Sequence, residues 1–224
     1  VYTLNMDCKG MKASQPNRWV IFSVLFYCSV NVSANAAESK GSKGNRVAKQ
    51  LPIFSQKLSF FLPNDWQLAF SQLEEGMFSA EFLPEGEHLH NWSSMLCIQS
   101  FEGLSANIKP EQFLDTMVDT YRDSCDGEVI YQRLDAQHMN GHQTANAIIG
   151  CTRMLNSHLK QQTDFYKAPQ HLGEIGYYTV VKGKQDLYLI HKSTRGAEFN
   201  QVSAPIENSN YREFMSAVSP FNLN

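Results

Sequence analysis

Residues 128–155 read EVIYQRLDAQHMNGHQTANAIIGCTRML, and this stretch decides the fold. Two runs rich in β-branched and aromatic residues, 128–135 and 143–155, stand on either side of Asn140-Gly141. Asn-Gly is the strongest short signal for a β-hairpin, because both central residues of a type I′ turn need positive φ. The stretch therefore predicts two antiparallel strands joined by a tight turn.

Strand patterns continue outward from this hairpin in both directions. They are short, and they are either uniformly apolar or alternate apolar with polar side chains, as strands do. Glu74-Glu75-Gly76 and Gly183 mark two further hairpin turns. The predicted strands are 57–62, 66–71, 77–82, 92–101, 177–182 and 187–192.

Two segments have a helical period instead. Phe113, Met117 and Tyr121 lie four residues apart, which predicts a helix over 109–124 with Pro110 in its first turn. The apolar residues within 211–218 predict a second, short helix. Strands joined by hairpins form antiparallel sheets. The predicted fold is therefore α+β: an antiparallel sheet of about six to eight strands covered by two main helices.

The segment 60–101 resembles a group of secreted proteobacterial proteins of unknown function. Their pattern is a Leu-Pro-x-x-Trp strand, a hairpin ending in Phe-x-Pro, then Trp-x-x-Met and a strand ending near Gln. The element order over residues 55–221 is similar to the PsbP-like α/β/α sandwich. This resemblance implies a fold and an export route, and it supplies no catalytic residue. The matching residues are Leu62, Pro63, Trp66, Phe82, Pro84, Trp92, Met95 and Gln99.

Residues 11–36 have the three parts of a secretory signal peptide. Lys12 and Arg18 form a basic start, an apolar run follows over 19–32, and Ala34-Asn35-Ala36 ends the segment with a small-x-small pattern. A bilayer span needs roughly 20 apolar residues, so this run is too short. We expect cleavage between Ala36 and Ala37 and a periplasmic or secreted product. The alternative interpretation is an uncleaved anchor.

The leader divides the chain into four predicted parts. Residues 1–10 read as an upstream extension before a start at Met11, and 11–36 as the signal peptide. Residues 37–50 are small, polar and basic, which is typical of a flexible linker. Residues 51–224 then form a single α+β domain, and its mature form has no membrane span.

The charge of the chain argues against nucleic-acid binding. The whole sequence has 19 Lys and Arg against 22 Asp and Glu, a net charge of −3. Removing Asp7, Lys9, Lys12 and Arg18 with the leader leaves a net charge of −5. Affinity for nucleic acids comes mainly from cationic groups that neutralise phosphates. We therefore expect no nucleic-acid partner.

Five cysteines are present, and Cys8 and Cys28 belong to the predicted leader. Of the other three, we predict a Cys125–Cys151 disulfide with Cys97 left as a free, buried thiol. Export permits a disulfide. The chain must fold back at Asp126-Gly127, because Cα atoms more than about 7 Å apart cannot be bridged.

One loop carries a candidate metal site. His88 and His90 stand two apart in the segment Glu85-Gly86-Glu87-His88-Leu89-His90, which on an extended chain puts both rings on one side. Two imidazoles and a carboxylate from Glu85 or Glu87 suit a divalent metal. The alternative is a solvated loop, and we predict no cofactor for the domain.

Four aromatic residues are candidates for a binding face: Trp66, Trp92, Tyr177 and Tyr178. The alternative is that they belong to the core. The sequence has no Gly-x-Ser-x-Gly, His-Glu-x-x-His or Gly-rich phosphate loop, so we predict no catalytic residues. The favoured function is an exported non-enzymatic domain that binds a protein or envelope component. The alternatives are a metal-dependent hydrolase using His88 and His90, or a secreted host-directed effector.

Overall fold

The computed structural model describes residues 45–155 and 171–224. The first four strands are β1 Arg46–Ile53, β2 Gln56–Pro63, β3 Trp66–Glu74 and β4 Met77–Pro84. Strand β5 (Ser94–Phe101) leads to helix α1 (Pro110–Ser124). After the helix come β6 Val129–Leu134, β7 His138–Met139, β8 His142–Leu155, β9 His171–Lys182 and β10 Leu187–Gly196. Helix α2 (Tyr211–Met215) and strand β11 (Asn222–Leu223) end the chain.

The strands form two antiparallel sheets. The main sheet has the order β3-β4-β5-β10-β9-β8-β6, and the short β7 also pairs with β8. The small sheet has the order β1-β2-β11. The prediction of an antiparallel α+β fold is thus confirmed at this level. The PsbP-like arrangement stays a prediction.

Each face of the main sheet has its own hydrophobic core. Helix α1 covers one face with its buried residues Phe113, Met117 and Tyr121, which pack on β8 and β9. The small sheet covers the other face with Leu58, Phe60 and the residues around α2. The expected cover of two main helices is not what we find. Helix α2 has only five residues, so the second face is buried mostly by strands.

The N-terminal boundary of the domain also differs from the prediction. Residues 46–50, expected in a linker, belong to β1, which pairs with β2 along its whole length. The Arg46 guanidinium donates to the backbone carbonyls of Ser216 and Ser219 and lies over the Phe61 ring. Most of β1 is exposed, so its sequence shows no apolar period. Residues 37–44 lie outside the described residues.

The central hairpin forms where the sequence places it. Asn140 and Gly141 have φ of 50° and 84°, as a type I′ turn requires. The pairing of β7 with β8 matches His138 to Gln143, whereas β6 with β8 matches Val129 to Cys151. The two registers differ by one residue, so the chain between β6 and β7 contains an irregularity. This irregularity lies beside a cavity that Gln137 and His138 help to line.

Candidate functional site

A cavity of about 370 Å³ lies between the main sheet and the C-terminal segment. Strands β8 and β9 form its floor, residues 137–139 at β7 form one side, and α2 with residues 219–221 forms the other. Small-molecule sites usually measure roughly 300–1,000 Å³. We call this the Asn146 cavity, after the residue at the centre of its floor.

The floor of the Asn146 cavity is a closed hydrogen-bond network. Asn146 Oδ1 accepts from the hydroxyls of Tyr177 and Thr179, each at 3.1 Å. Asn146 Nδ2 donates to the Thr144 hydroxyl at 3.2 Å and to the Asp135 carbonyl at 3.3 Å. Asn146 is only 2% exposed. Because every polar atom of this amide is satisfied, the floor keeps one geometry.

The same network holds the irregular segment between β6 and β7. Thr144 donates from both its backbone N and its hydroxyl to the Gln137 carbonyl, at 3.2 and 2.9 Å. With the bond from Asn146 to Asp135, three bonds fix residues 135–137 beside β8. This explains how the one-residue register difference is tolerated: the carbonyls lost from the ladder are bonded by side chains.

The walls of the cavity are mostly apolar and aromatic. The ring of Tyr211 lies parallel to that of Tyr177, with centroids 5.2 Å apart. Met139, Met215 and Phe221 complete the apolar lining. Burial raises the pKa of the Tyr177 hydroxyl above its ordinary value, while the neighbouring Thr179 hydroxyl and the Arg212 charge lower it. The phenol therefore stays protonated near neutral pH.

The cavity rim carries cationic and polar groups. The Arg212 guanidinium lies 5.0 Å from the centroid of the Tyr211 ring, and its side chain is exposed. His138 and Gln137 lie on the opposite side, and both are exposed. The described lining contains no Asp or Glu. The rim therefore favours anionic over cationic ligands.

A buried lysine fastens helix α2 to the main sheet. The Lys192 ammonium donates to the Phe214 carbonyl at 2.7 Å and lies 3.8 Å from the centroid of the Phe214 ring. Lys192 is 8% exposed, and burial lowers its pKa to about 8. Because α2 supplies Tyr211, Arg212 and Met215 to the cavity, this contact sets the position of one wall.

The opposite face of the sheet holds a second polar cluster. The Tyr121 hydroxyl donates to Glu174 Oε1 at 2.9 Å and lies 2.6 Å from the Tyr178 hydroxyl. Arg195 bonds Glu174 Oε2 through both Nε and a terminal nitrogen, and stacks 4.2 Å from the Trp92 ring. Burial raises the pKa of both the Tyr178 and the Tyr121 hydroxyl well above the ordinary value, and the nearby Glu174 charge acts in the same direction. Both phenols stay neutral, so the cluster ties α1 to β9.

His191 belongs to this second cluster. Its ring stacks on Tyr178 at a centroid distance of 4.5 Å, and Nδ1 lies 3.1 Å from the Ser193 hydroxyl. Burial lowers the pKa of His191 to about 4, although the Glu174 charge acts in the opposite direction. The imidazole is therefore neutral at physiological pH and packs as a core side chain.

The predicted metal-binding residues lie in the loop between β4 and β5. The backbones of His88 and Asn91 form an isolated bridge, and the Glu87 carboxylate accepts from the Ser93 backbone N and hydroxyl at 2.7 and 2.5 Å. Glu87 is thus used to close the loop. In the described part of the chain, no three His, Cys, Asp or Glu side chains come together as metal ligands. Metal binding at His88 and His90 stays a prediction.

The four candidate aromatics do not form one exposed face. Trp92, Tyr177 and Tyr178 are 7%, 7% and 1% exposed, and Trp66 is partly buried against the core. Tyr177 and Tyr178 are consecutive in β9, so they point to opposite faces of the sheet. Their role as a joint surface is therefore ruled out by burial. Tyr177 still contributes to the Asn146 cavity.

The Cys125–Cys151 disulfide is present, with Cα atoms 5.6 Å apart. The expected fold-back at Asp126-Gly127 brings the two cysteines together, since Asp126 N donates to the Arg153 carbonyl. A Cβ on Gly127 would lie 2.4 Å from the Thr152 hydroxyl, so this approach needs glycine. The prediction that Cys97 is a free thiol is wrong, because Cys97 is disulfide-bonded as well.

The predicted cleavage site at Ala36 and Ala37 also lies outside the described residues. Within 45–155 and 171–224, no helix has the length and apolar character needed to cross a bilayer.

Sequence reasoning missed most of the cavity. The signal that could have found the floor is a pair of polar residues, Thr144 and Asn146, on alternate positions of a strand, with the apolar Ala145 and Ala147 beside them. Such residues share one face of the strand. Tyr211 and Arg212 gave no such signal, because only the tertiary fold brings α2 to β8 and β9.

A second groove, of about 640 Å³, runs between β6 and residues 201–209. Strand β6 is an edge of the main sheet. The side chains along the groove are partly or fully exposed except Ile206, so no buried polar group converges on it. We therefore regard the Asn146 cavity as the better candidate.

No protein-family model matches this chain, and no curated protein is significantly similar to it. Solved bacterial structures match it weakly. A protein from Bacteroides thetaiotaomicron has 13% identity and a TM-score of 0.34, covering 75% of this chain and 44% of its own. The chain thus spans less than half of that protein.

Two further bacterial structures cover more of their own length. PA94 of Pseudomonas aeruginosa, a protein of unknown function, has 10% identity and a TM-score of 0.35, covering 77% of this chain and 96% of its own. LpqN, involved in cell envelope biogenesis of Mycobacterium tuberculosis, has 8% identity and a TM-score of 0.34, covering 81% of this chain and 92% of its own. Likeness of this size carries no argument about function.

Proposed function

We propose that this chain works outside the cytoplasm as a non-enzymatic domain, and that it binds a cell-envelope component or an envelope protein through the Asn146 cavity. The observation that carries the proposal is the construction of the cavity. Apolar and aromatic walls surround a few convergent polar groups, Asn146, Tyr177 and Thr179. This is the usual form of a ligand-binding site.

The chemistry of the floor favours binding over catalysis. The protons of Tyr177 and Thr179 are both engaged by Asn146 Oδ1. Burial raises the pKa of Tyr177, so it is a poor general base at neutral pH. A floor whose protons are held in internal bonds offers shape and hydrogen-bonding partners to a ligand, and it offers no proton for transfer.

Two observations support export. The sequence of residues 11–36 has the basic, apolar and small-x-small parts of a secretory leader. The Cys125–Cys151 disulfide is of a kind that forms and persists in oxidising compartments. The proposed product begins at Ala37 and works in the periplasm or the medium.

The experiment expresses the full chain with its leader in a Gram-negative host. Periplasm, envelope and medium are separated, and the product is N-terminally sequenced. We expect a protein beginning at Ala37 outside the cytoplasm. A cytoplasmic protein that still begins at or before Met11 would contradict the export part of the proposal.

The binding part is tested by sedimenting the purified exported protein with an isolated envelope fraction. Gln137→Trp adds a large side chain at the cavity rim, so we expect it to reduce sedimentation. Gln67→Trp makes the same change at an exposed position of edge strand β3, far along the sheet order from β8, and should sediment like the wild type. Equal sedimentation of all three proteins, or none, would show that the cavity does not bind the envelope.

A further inference from the structure

We propose that the ligand of the Asn146 cavity is a sugar acid, meaning a hydroxyl-bearing ring with a carboxylate, as in a hexuronic acid residue. This inference rests on the function proposed above and names the ligand class of the same site. Three features carry it: the hydrogen-bond polarity of the floor, the charge at the rim and the aromatic wall between them.

The floor can only accept hydrogen bonds from a ligand. The Tyr177 and Thr179 hydroxyls each have one proton, and each donates it to Asn146 Oδ1 at 3.1 Å. The two protons of Asn146 Nδ2 go to Asp135 and Thr144. The lone pairs of the two hydroxyl oxygens therefore remain as acceptors. Both oxygens lie 3.1 Å from one atom, so they are neighbours, and two adjacent sugar hydroxyls would supply matching donors.

The rim is suited to an anion. The Arg212 guanidinium contacts the Tyr211 ring, and no ion pair joins it to a residue within 45–155 or 171–224. The described cavity lining contains no Asp or Glu that would attract a cation or neutralise Arg212. Arginine presents a planar array of donors that matches a carboxylate. A ligand with hydroxyls at the floor is thus expected to carry its negative charge at the rim.

The space between floor and rim fits a ring better than an extended chain. The parallel rings of Tyr177 and Tyr211, with Met215 and Phe221, present an apolar wall. A sugar ring has an apolar C–H face and polar edges, and the cavity has that same division. A peptide carboxyl terminus would also provide a carboxylate, but its backbone offers a single N–H donor per residue to the paired acceptors. The sugar acid therefore satisfies more of the lining.

The test titrates the purified exported protein with soluble probes and follows binding by calorimetry and NMR chemical shifts. The probes are D-glucuronate, D-galacturonate, D-glucose, the dipeptide Ala-Ala and alginate, a polymer of uronic acids. We expect a uronate to bind, free or as polymer, and glucose to bind at least tenfold more weakly. The comparison of the free uronates with alginate distinguishes a free sugar acid from a polysaccharide residue.

Two variants locate the binding. Arg212→Gln removes the cation, and Thr179→Val removes one acceptor; each should weaken uronate binding by roughly tenfold, the value of one charge-assisted or buried hydrogen bond. Arg122→Gln changes an exposed arginine of α1 that pairs with Asp119, and it should bind as the wild type does. Circular dichroism of each variant checks that it folds. If Thr179→Val does not fold, Arg212→Gln still tests the inference, because Arg212 is exposed and its replacement should not disturb the core.

The outcomes separate this inference from the function it rests on. Equal binding of glucose and uronate, or binding of Ala-Ala alone, overturns the sugar acid. If no probe binds but envelope sedimentation is lost in Gln137→Trp, the sugar acid is wrong and the binding function stands. If envelope sedimentation is also absent or insensitive to Gln137→Trp, both proposals fail.

Discussion

The rings of Tyr177 and Tyr211 are parallel, with centroids 5.2 Å apart, and this stack joins strand β9 to helix α2 at the Asn146 cavity. A helix of five residues has little stability of its own, because nucleation of the first turn is unfavourable. Its position must come from tertiary contacts. The Tyr211 stack and the Lys192 bond to Phe214 are two such contacts.

The first prediction concerns this stack. Tyr211 is 6% exposed, and Tyr211→Ala removes the ring from both the core and the cavity wall. Large-to-small changes of buried aromatic residues cost about 3–5 kcal/mol. We expect a loss in this range in the free energy of unfolding, measured by urea denaturation. Tyr211→Phe keeps the ring and should stay within about 1 kcal/mol of the wild type; a similar loss in both variants would contradict the role of the ring.

The second prediction concerns the amide at the cavity floor. Asn146→Leu has similar size but leaves the hydroxyls of Tyr177 and Thr179 without their acceptor and the Asp135 carbonyl without its donor. Each buried polar group left unsatisfied costs about 1–3 kcal/mol, and partial relaxation reduces the sum. We expect a destabilisation of about 2–4 kcal/mol by urea denaturation.

Asn208→Leu is the control for this change, because Asn208 is exposed. Surface substitutions of this kind usually alter stability by less than about 0.5 kcal/mol. If Asn146→Leu changed the free energy of unfolding as little as Asn208→Leu, the floor network would contribute nothing to stability. The donation of the Tyr177 and Thr179 protons to Asn146 would then not be a fixed property of the floor.

The third prediction concerns the disulfide. Cys125 and Cys151 are separated by 26 residues, and closing a loop of this size stabilises by roughly 3–4 kcal/mol in the chain-entropy model. We expect the free energy of unfolding of the double variant Cys125→Ala, Cys151→Ala to be lower by roughly 3–4 kcal/mol, measured by guanidinium denaturation without reductant. Reduction with a thiol is not an equivalent experiment, because Cys97 is disulfide-bonded too. Peptide mapping of the non-reduced protein should recover Cys125 linked to Cys151, and a loss below 1 kcal/mol would contradict a stabilising bridge.

The sequence predicts local structure well where the signal is local. Asn140-Gly141 fixes the central hairpin because few other dipeptides accept positive φ at both positions. The apolar residues of α1 recur every three to four positions because one side of the helix lies on the sheet. The cysteine pair could be inferred because the hairpin and the fold-back at Gly127 leave Cys125 and Cys151 close together.

The rest depends on contacts between distant parts of the chain. Strand β1 is mostly exposed, so it has no apolar period, and the Arg46 bonds to Ser216 and Ser219 cannot be read from neighbouring residues. The cavity needs β8, β9 and α2 together, and Arg212 is about 65 residues from Asn146 in the chain. Tyr177 and Tyr178 are buried on opposite faces because the sheet is covered on both sides. The pattern of one strand does not show whether both faces of its sheet are covered, so this burial could not be predicted from the sequence.

The last prediction is a pH dependence that comes from His191. Burial lowers the pKa of this imidazole from its ordinary 6.5 to about 4, while the Glu174 charge partly opposes the shift. Between pH 6.5 and 4 the unfolded chain therefore holds a proton on His191 that the folded chain does not. Under the linkage relation, stability falls as the pH is lowered through that window. The full shift corresponds to roughly 3–3.5 kcal/mol, and most of it is lost by pH 4.

Two variants separate the titration of His191 from its hydrogen bond. His191→Asn places an amide where Nδ1 meets the Ser193 hydroxyl, and this amide does not titrate. Between pH 7 and 4 the free energy of unfolding of this variant should therefore fall by roughly 2–3 kcal/mol less than that of the wild type. Ser193→Ala removes the bond and leaves the imidazole buried against Tyr178, so it should keep the wild-type slope even if it is less stable overall. The measurement is the free energy of unfolding in urea at each pH. Parallel curves for the wild type and His191→Asn would show that burial of the imidazole is not the source of the acid sensitivity, because the carboxylates common to both proteins would then account for all of it.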